Sequence, residues 1–126
     1  GEFYFLETAA RVGGAHIADL VEAAAGINLW AEWAKLELAD KVKPYRLPEL
    51  RQDYAGIIIT LARQESPDTT AYDDPEIVWR LNKRHHAGLI VRSDSWQRVN
   101  TLIGSYTERF RTDFHASMPV PDRPSD

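Results

Sequence analysis

Phe3-Tyr4-Phe5-Leu6-Glu7-Thr8-Ala9-Ala10-Arg11-Val12-Gly13-Gly14-Ala15-His16 is the stretch on which the reading of this chain turns. An apolar run, Phe3 to Leu6, leads straight into one carboxylate, Glu7. Such a run predicts a short buried strand that ends at the glutamate. Side chains alternate along an extended segment, so Glu7, Ala9 and Arg11 share a face. Gly13 and Gly14 allow a ligand to approach the backbone. The helix expected to start near Ala15 offers unpaired N–H groups and a positive dipole end. Carboxylate, guanidinium and flexible backbone in this order can hold a hard cation and a phosphate side by side. The same residues also fit a plain strand end, a surface ion pair between Glu7 and Arg11, and an ordinary turn. Spacing alone leaves both readings open.

Downstream the pattern is helical. Ile17, Leu20, Val21 and Ala24 recur at helix spacing over Ala15 to Ala25, and Gly26 is placed to end the helix. Asn28 is a cap for a second helix, with Leu29, Trp30, Trp33, Leu36 and Leu38 as its apolar face. Trp30 and Trp33 are expected to bury the seam between the two parts of the chain. Asp40 to Arg51, with two prolines and many charges, reads as a connector. Tyr54 to Leu61 is rich in Ile and Thr and reads as a buried strand. Ser66 to Pro75 is turn chemistry. Ile77 to Leu81 carries a helix-start signature in Asp74-Pro75-Glu76, yet Ile-Val-Trp favours a strand, which is the reading adopted. Asn82 to Ala87 is then a loop and Gly88 to Arg92 another strand. Ser93 or Asp94 caps a last helix whose buried stripe is Trp96, Val99, Leu102, Ile103, Tyr106 and Phe110. Met118 to Asp126 is proline-rich and expected to be loose.

The 126 residues suffice for one domain with a modest core, or for the end of a larger one. A net charge of −4 argues against nucleic acid or an anionic membrane surface as the partner. There is no cysteine, so disulfides and thiolate metal sites are excluded. That fits a cytoplasmic protein. No apolar run approaches the ~20 residues of a membrane span, and no secretory signal is evident at Gly1-Glu2.

The opening stretch, followed by Ile17-Ala-Asp-Leu-Val-Glu-Ala-Ala-Ala-Gly26-Ile27-Asn28-Leu29, resembles the end of the ATP-grasp catalytic domain, the superfamily of carboxylate–amine ligases and biotin carboxylases. The resemblance covers about the first thirty residues. It implies an α+β architecture: a C-terminal remnant of the ATP-grasp catalytic domain over residues 1–40, a connector over 41–52, a small mixed subdomain over 53–115 and a loose tail over 116–126. It implies that Glu7 is the metal-bridging glutamate, for Mg²⁺ or Mn²⁺ with ATP as co-substrate. Arg11 resembles the catalytic arginine on phosphate or acyl substrate, and Gly13 and Gly14 resemble the loop lining the substrate side. His16, just past the glycines, is placed to touch a substrate, though its position fits a plain histidine at a helix N-terminus better. Ala9 departs from the pattern, standing where many members carry a metal-binding Asn. The implied reaction activates a carboxylate as an acyl phosphate and joins it to an amine. The partners implied are ATP, small carboxylate and amine substrates, and the upstream part of the ATP-grasp domain. An isolated chain lacking that part is expected to be inactive. Two rival readings are a non-catalytic interaction or dimerisation module and a small anion-binding domain using Arg11 and Gly13-Gly14. The run Phe3 to Leu6, without its parent sheet, is expected to pair with a second copy in a homodimer.

Other features read as structural. His85 and His86 are neighbours that would face opposite ways on a strand, with no third ligand apparent. Asp68, Asp73, Asp74 and Glu76 lack the spacing of a calcium loop and are read as capping and solvated carboxylates. Arg80, Lys83, Arg84 and Arg92 form a positive patch, read as a solvated face.

Overall fold

The computed structural model describes Tyr4, residues 11–40 and residues 42–116. Among these residues the chain is mixed α and β, with helices α1 (Ile17–Ala25), α2 (Leu29–Glu37) and α3 (Trp96–Asp113) and strands β1 (Tyr54–Leu61), β2 (Ile77–Arg80) and β3 (His86–Ser93). The strands form one antiparallel sheet in the order β1-β3-β2. The run Phe3 to Leu6 lies outside the described residues except for Tyr4, which is 78% exposed and belongs to no named strand. Glu7 and Ala9 also lie outside them, as does the tail from residue 117.

The sheet is covered on both faces. Alternation along β3 sends Ala87, Leu89 and Val91 towards α3, where they meet Val99, Leu102, Tyr106 and Phe110 in the main core. The other face carries Ile90, fully buried, and packs under α1, whose Ala18 is buried. Gly56 sits where β1 and α3 come closest. A Cβ there would lie 2.5 Å from Ile103 Cγ1 and 3.0 Å from Val99 Cγ1, so only glycine allows this approach.

An aromatic cluster anchors the long segment between β1 and β2. Tyr72 packs edge-on against Tyr106 and Phe110, both at 5.1 Å between ring centroids. Its hydroxyl donates to Asp113 Oδ2 at 2.8 Å, and the Arg109 guanidinium lies 4.0 Å above its ring. Burial is the largest cause that pushes the phenols of Tyr72 and Tyr106 above their ordinary range. Asp74 and Glu76 of the acidic turn are engaged by protein groups, while Asp73 is exposed. Tyr106 donates its hydroxyl to Asp74, and Arg98 donates to Asp74 Oδ1 at 2.8 Å and to Glu76 Oε1 at 2.7 Å.

This network has a pH consequence. The Tyr106 hydroxyl, and then Arg98, hold the Asp74 carboxyl below its ordinary 3.8, and Arg98 holds Glu76 below 4.5. Carboxyls depressed in the folded state add stability that is fully present above those ordinary values and fades as pH falls through the lower folded ones. Urea midpoints measured from pH 6 down to pH 3 should therefore fall. In Arg98→Ala the fall should be shallower, and stability at pH 6 should be lower, because the charged hydrogen bonds to Asp74 and Glu76 are gone.

Several sequence expectations need correction. The first helix starts at Ile17, not Ala15, because Ala15 (φ 51°) and His16 (φ 64°) are left-handed. Ser95, not Ser93 or Asp94, caps α3, its side chain accepting from Arg98 N. Trp96 is 55% exposed because it opens the helix beside that cap, ahead of the turns that face the sheet. Trp30 and Trp33 do not bury a seam. They are 53% and 38% exposed and lean on each other, with centroids 5.7 Å apart. The rest of the α2 apolar face is likewise open, with Leu36 at 55% and Leu38 at 82%. Among the three helices α2 lacks a sheet beneath it and packs mainly on α1.

Strand β3 runs His86–Ser93, so His86 and Ala87, expected in the loop, already pair with β1, and β1 is half-buried rather than buried because it is an edge strand. Other expectations hold. Strand β1 has the bounds read from the sequence. Ile77 onward is a strand, Gly26 ends α1 at φ 78°, and Asn28 caps α2 by accepting from Ala31 N at 3.0 Å. The connector returns to α1, where Arg51 N donates to Ala25 O at 2.9 Å and its guanidinium reaches the Glu22 and Ala23 carbonyls. A cation thus satisfies the carbonyl end of the helix.

Candidate functional site

The glycine pair leads into a tight reversal. Ile17 N donates to Gly14 O at 3.0 Å, closing a turn whose two central residues, Ala15 and His16, both have positive φ. A turn of this hand favours Gly or Asn, so two residues with a Cβ are held there at a cost of about 1 kcal/mol each. Replacing Ala15 by glycine should raise the melting temperature, corresponding to about 1 kcal/mol of added stability.

His16 is fixed by what surrounds it. Its Nδ1 lies 2.9 Å from Asp19 Oδ2, and its ring lies against Trp79 of β2 with centroids 4.8 Å apart. The reversal is thereby tied to the first turn of α1 and to the sheet edge. Gly13 sits under Ile17, where an added Cβ would be 3.0 Å from Cγ2. At Gly14 an added Cβ would meet nothing within 4 Å.

Gly13, Gly14 and His16 line one cavity of about 580 Å³. Its other walls come from α1, from Trp30 of α2, from Ile59 of β1, and from Lys83 and His86 of the β2–β3 hairpin. This volume is in the usual range for small-molecule sites. Three of the residues read as substrate-binding therefore converge. Arg11 does not join them. It lines a separate cavity of about 360 Å³ with Val12, Trp33, Leu36 and Tyr45. Glu7 lies outside the described residues, so its distance to either cavity is not part of this geometry.

The first cavity contains one carboxylate, Asp19, which is tied to His16. Among the described residues no group of three or more His, Cys, Asp or Glu side chains is placed to hold a metal ion, and His85 and His86 are not part of such a group. The positive patch resolves into separate partnerships. Arg80 donates to the Thr69 and Tyr72 carbonyls, Arg84 pairs with Glu65 at 2.7 Å, and Arg92 lies 3.6 Å from Asp53. Lys83 has no such partner for its ammonium among the described residues.

Sequence reasoning placed Lys83 on a solvated face and Trp30 in a seam, and it did not single out Ile59. No local motif marks these residues. They meet only because α1 packs on the sheet and carries α2 beside it, which places Trp30 in the same cavity as Ile59 of the sheet and the β2–β3 turn.

The chain matches no protein-family model, no curated protein and no solved structure. No described helix is long and apolar enough to cross a membrane.

Proposed function

We propose that this chain is the C-terminal part of an ATP-grasp ligase, a protein that activates a carboxylate as an acyl phosphate and joins it to an amine. The observation that carries the reading is the ordered phrase from Glu7 through Arg11, Gly13-Gly14 and α1 to Gly26-Ile27-Asn28-Leu29. Two features support it. The phrase is spaced by a helix with a glycine stop and an asparagine restart, as that resemblance implies. Its glycines and His16 line a cavity of small-molecule size.

In this reading Glu7 would hold the Mg²⁺ or Mn²⁺ that accompanies ATP, and the guanidinium of Arg11, which lines the second cavity rather than that of the glycines, would face transferred phosphate or the acyl group. ATP and the metal provide the phosphoryl chemistry. The described residues shape the side of the site where the organic substrates enter. Upstream sequence provides the remaining nucleotide contacts, and the reaction takes place in the cytoplasm.

The test uses the longest polypeptide that contains this chain, supplied with Mg²⁺, ATP and panels of carboxylic acids and amines. ADP release that requires both an acid and an amine supports the ligase. ADP release indifferent to added acid, or none with any pair, counts against it.

The exposed apolar face of α2 favours a second reading, an interaction module. It predicts concentration-dependent self-association of the chain and no acid-dependent ADP release.

A further inference from the structure

The lining of the cavity beside Gly14 carries chemistry that goes beyond the motif. It includes Lys83, the one cation of the hairpin patch whose charge is not spent on a protein carboxylate or carbonyl among the described residues. The only carboxylate in the lining is engaged by His16 at 2.9 Å. Lys83 is thus the charged group of the lining without a protein partner among the described residues, a seat for an anion. The lining also carries open apolar surface. Trp30 is 53% exposed and Ile59 38% exposed, although both line the same cavity, so a flat apolar body would cover surface that is otherwise wet. His86 is also in the lining, its Nδ1 donating to the Arg84 carbonyl at 2.8 Å. At Gly14 the backbone leaves open space where any side chain would intrude.

We infer that this cavity binds a small organic carboxylate with a planar apolar body, its head on the Lys83 ammonium and its body against Trp30 and Ile59. That such a molecule is a co-substrate rests on the ligase reading, but its binding does not. Binding is therefore measured without ATP, so failure of one idea does not mimic failure of the other.

The test is titration of the ¹⁵N-labelled chain with phenylacetate, inorganic phosphate or benzylamine, followed by amide shifts. Phenylacetate should give saturable shifts at Gly13, Gly14, His16 and Lys83, phosphate should bind about tenfold more weakly, and benzylamine should give none. Lys83→Met should weaken phenylacetate about tenfold, the worth of one charged hydrogen bond. Trp30→Ala should weaken phenylacetate and leave phosphate unchanged. Both residues are exposed, and the spectrum itself reports whether each variant is folded. Equal response to phenylacetate and benzylamine overturns the assignment of charge. Phosphate binding as tightly as phenylacetate overturns the apolar body. Shifts confined to other surfaces, or affinity untouched in Lys83→Met, overturn the site.

Discussion

Glu7→Gln, on the proposed ligase reading, is expected to lower acid-dependent ADP release by the longest polypeptide containing this chain about a hundredfold or more. The reason is electrostatic. A phosphoryl group in transfer spreads negative charge over its oxygens, and a divalent ion held by a carboxylate offsets that charge where it develops. On the ligase reading, glutamine would preserve the shape and one oxygen but remove the charge that would hold the metal. Loss of one preorganised electrostatic contact commonly costs about two to three orders of magnitude in rate. Steady-state ADP release with saturating acid and amine is the measurement. A loss below fivefold would remove Glu7 from the chemistry. Gly14→Leu offers a contrast. Its Cβ meets nothing within 4 Å, so folding should persist while the leucine fills the cavity and raises the substrate KM.

The second large effect concerns the core. Phe110→Ala should destabilise the fold by about 3–5 kcal/mol, read from urea unfolding. Phe110 is 1% exposed and touches Tyr72 and Phe114, each at 5.1 Å between centroids. Removing its ring opens a cavity between α3 and the segment that Tyr72 pins. Tyr72 would lose one of its edge-on partners, and the loop before β2 would loosen with it. A loss under 1 kcal/mol would mean that the aromatic cluster is not a cooperative part of the core. Gly56→Ala should cost about 1–3 kcal/mol by overpacking Ile103 and Val99, even though alanine ordinarily suits a strand better than glycine.

The elements that were legible in the sequence were those whose residues decide locally. The β-branched run of β1 and the capping pair Gly26 and Asn28 announce themselves, and the stripe of α3 is right from Val99 onward. Periodicity reports which side chains share a face but not whether another element covers that face. For this reason the pattern of α2 marks an apolar face and suggests a seam at Trp30 and Trp33, whereas Trp30, Trp33, Leu36 and Leu38 are open. Tyr72, fully buried, was hidden among turn residues, since a single aromatic in a polar stretch has no pattern. The start of α1 was misplaced because the left-handed Ala15 and His16 are held by tertiary contacts, His16 against Trp79 among them. The cavity was half visible. Gly13, Gly14 and His16 are neighbours in sequence, whereas Trp30, Ile59 and Lys83 reach it from three other elements and loops.

Isotope transfer tests the ligase reading most directly. The intact protein is given ATP, an amine and a carboxylic acid carrying ¹⁸O in its carboxyl group. If the acid is activated as an acyl phosphate, one labelled oxygen leaves with phosphate when the amine displaces it, so phosphate released with product carries one ¹⁸O. Unlabelled phosphate accompanying the amide product, or phosphate release with no amide formed, would contradict the account.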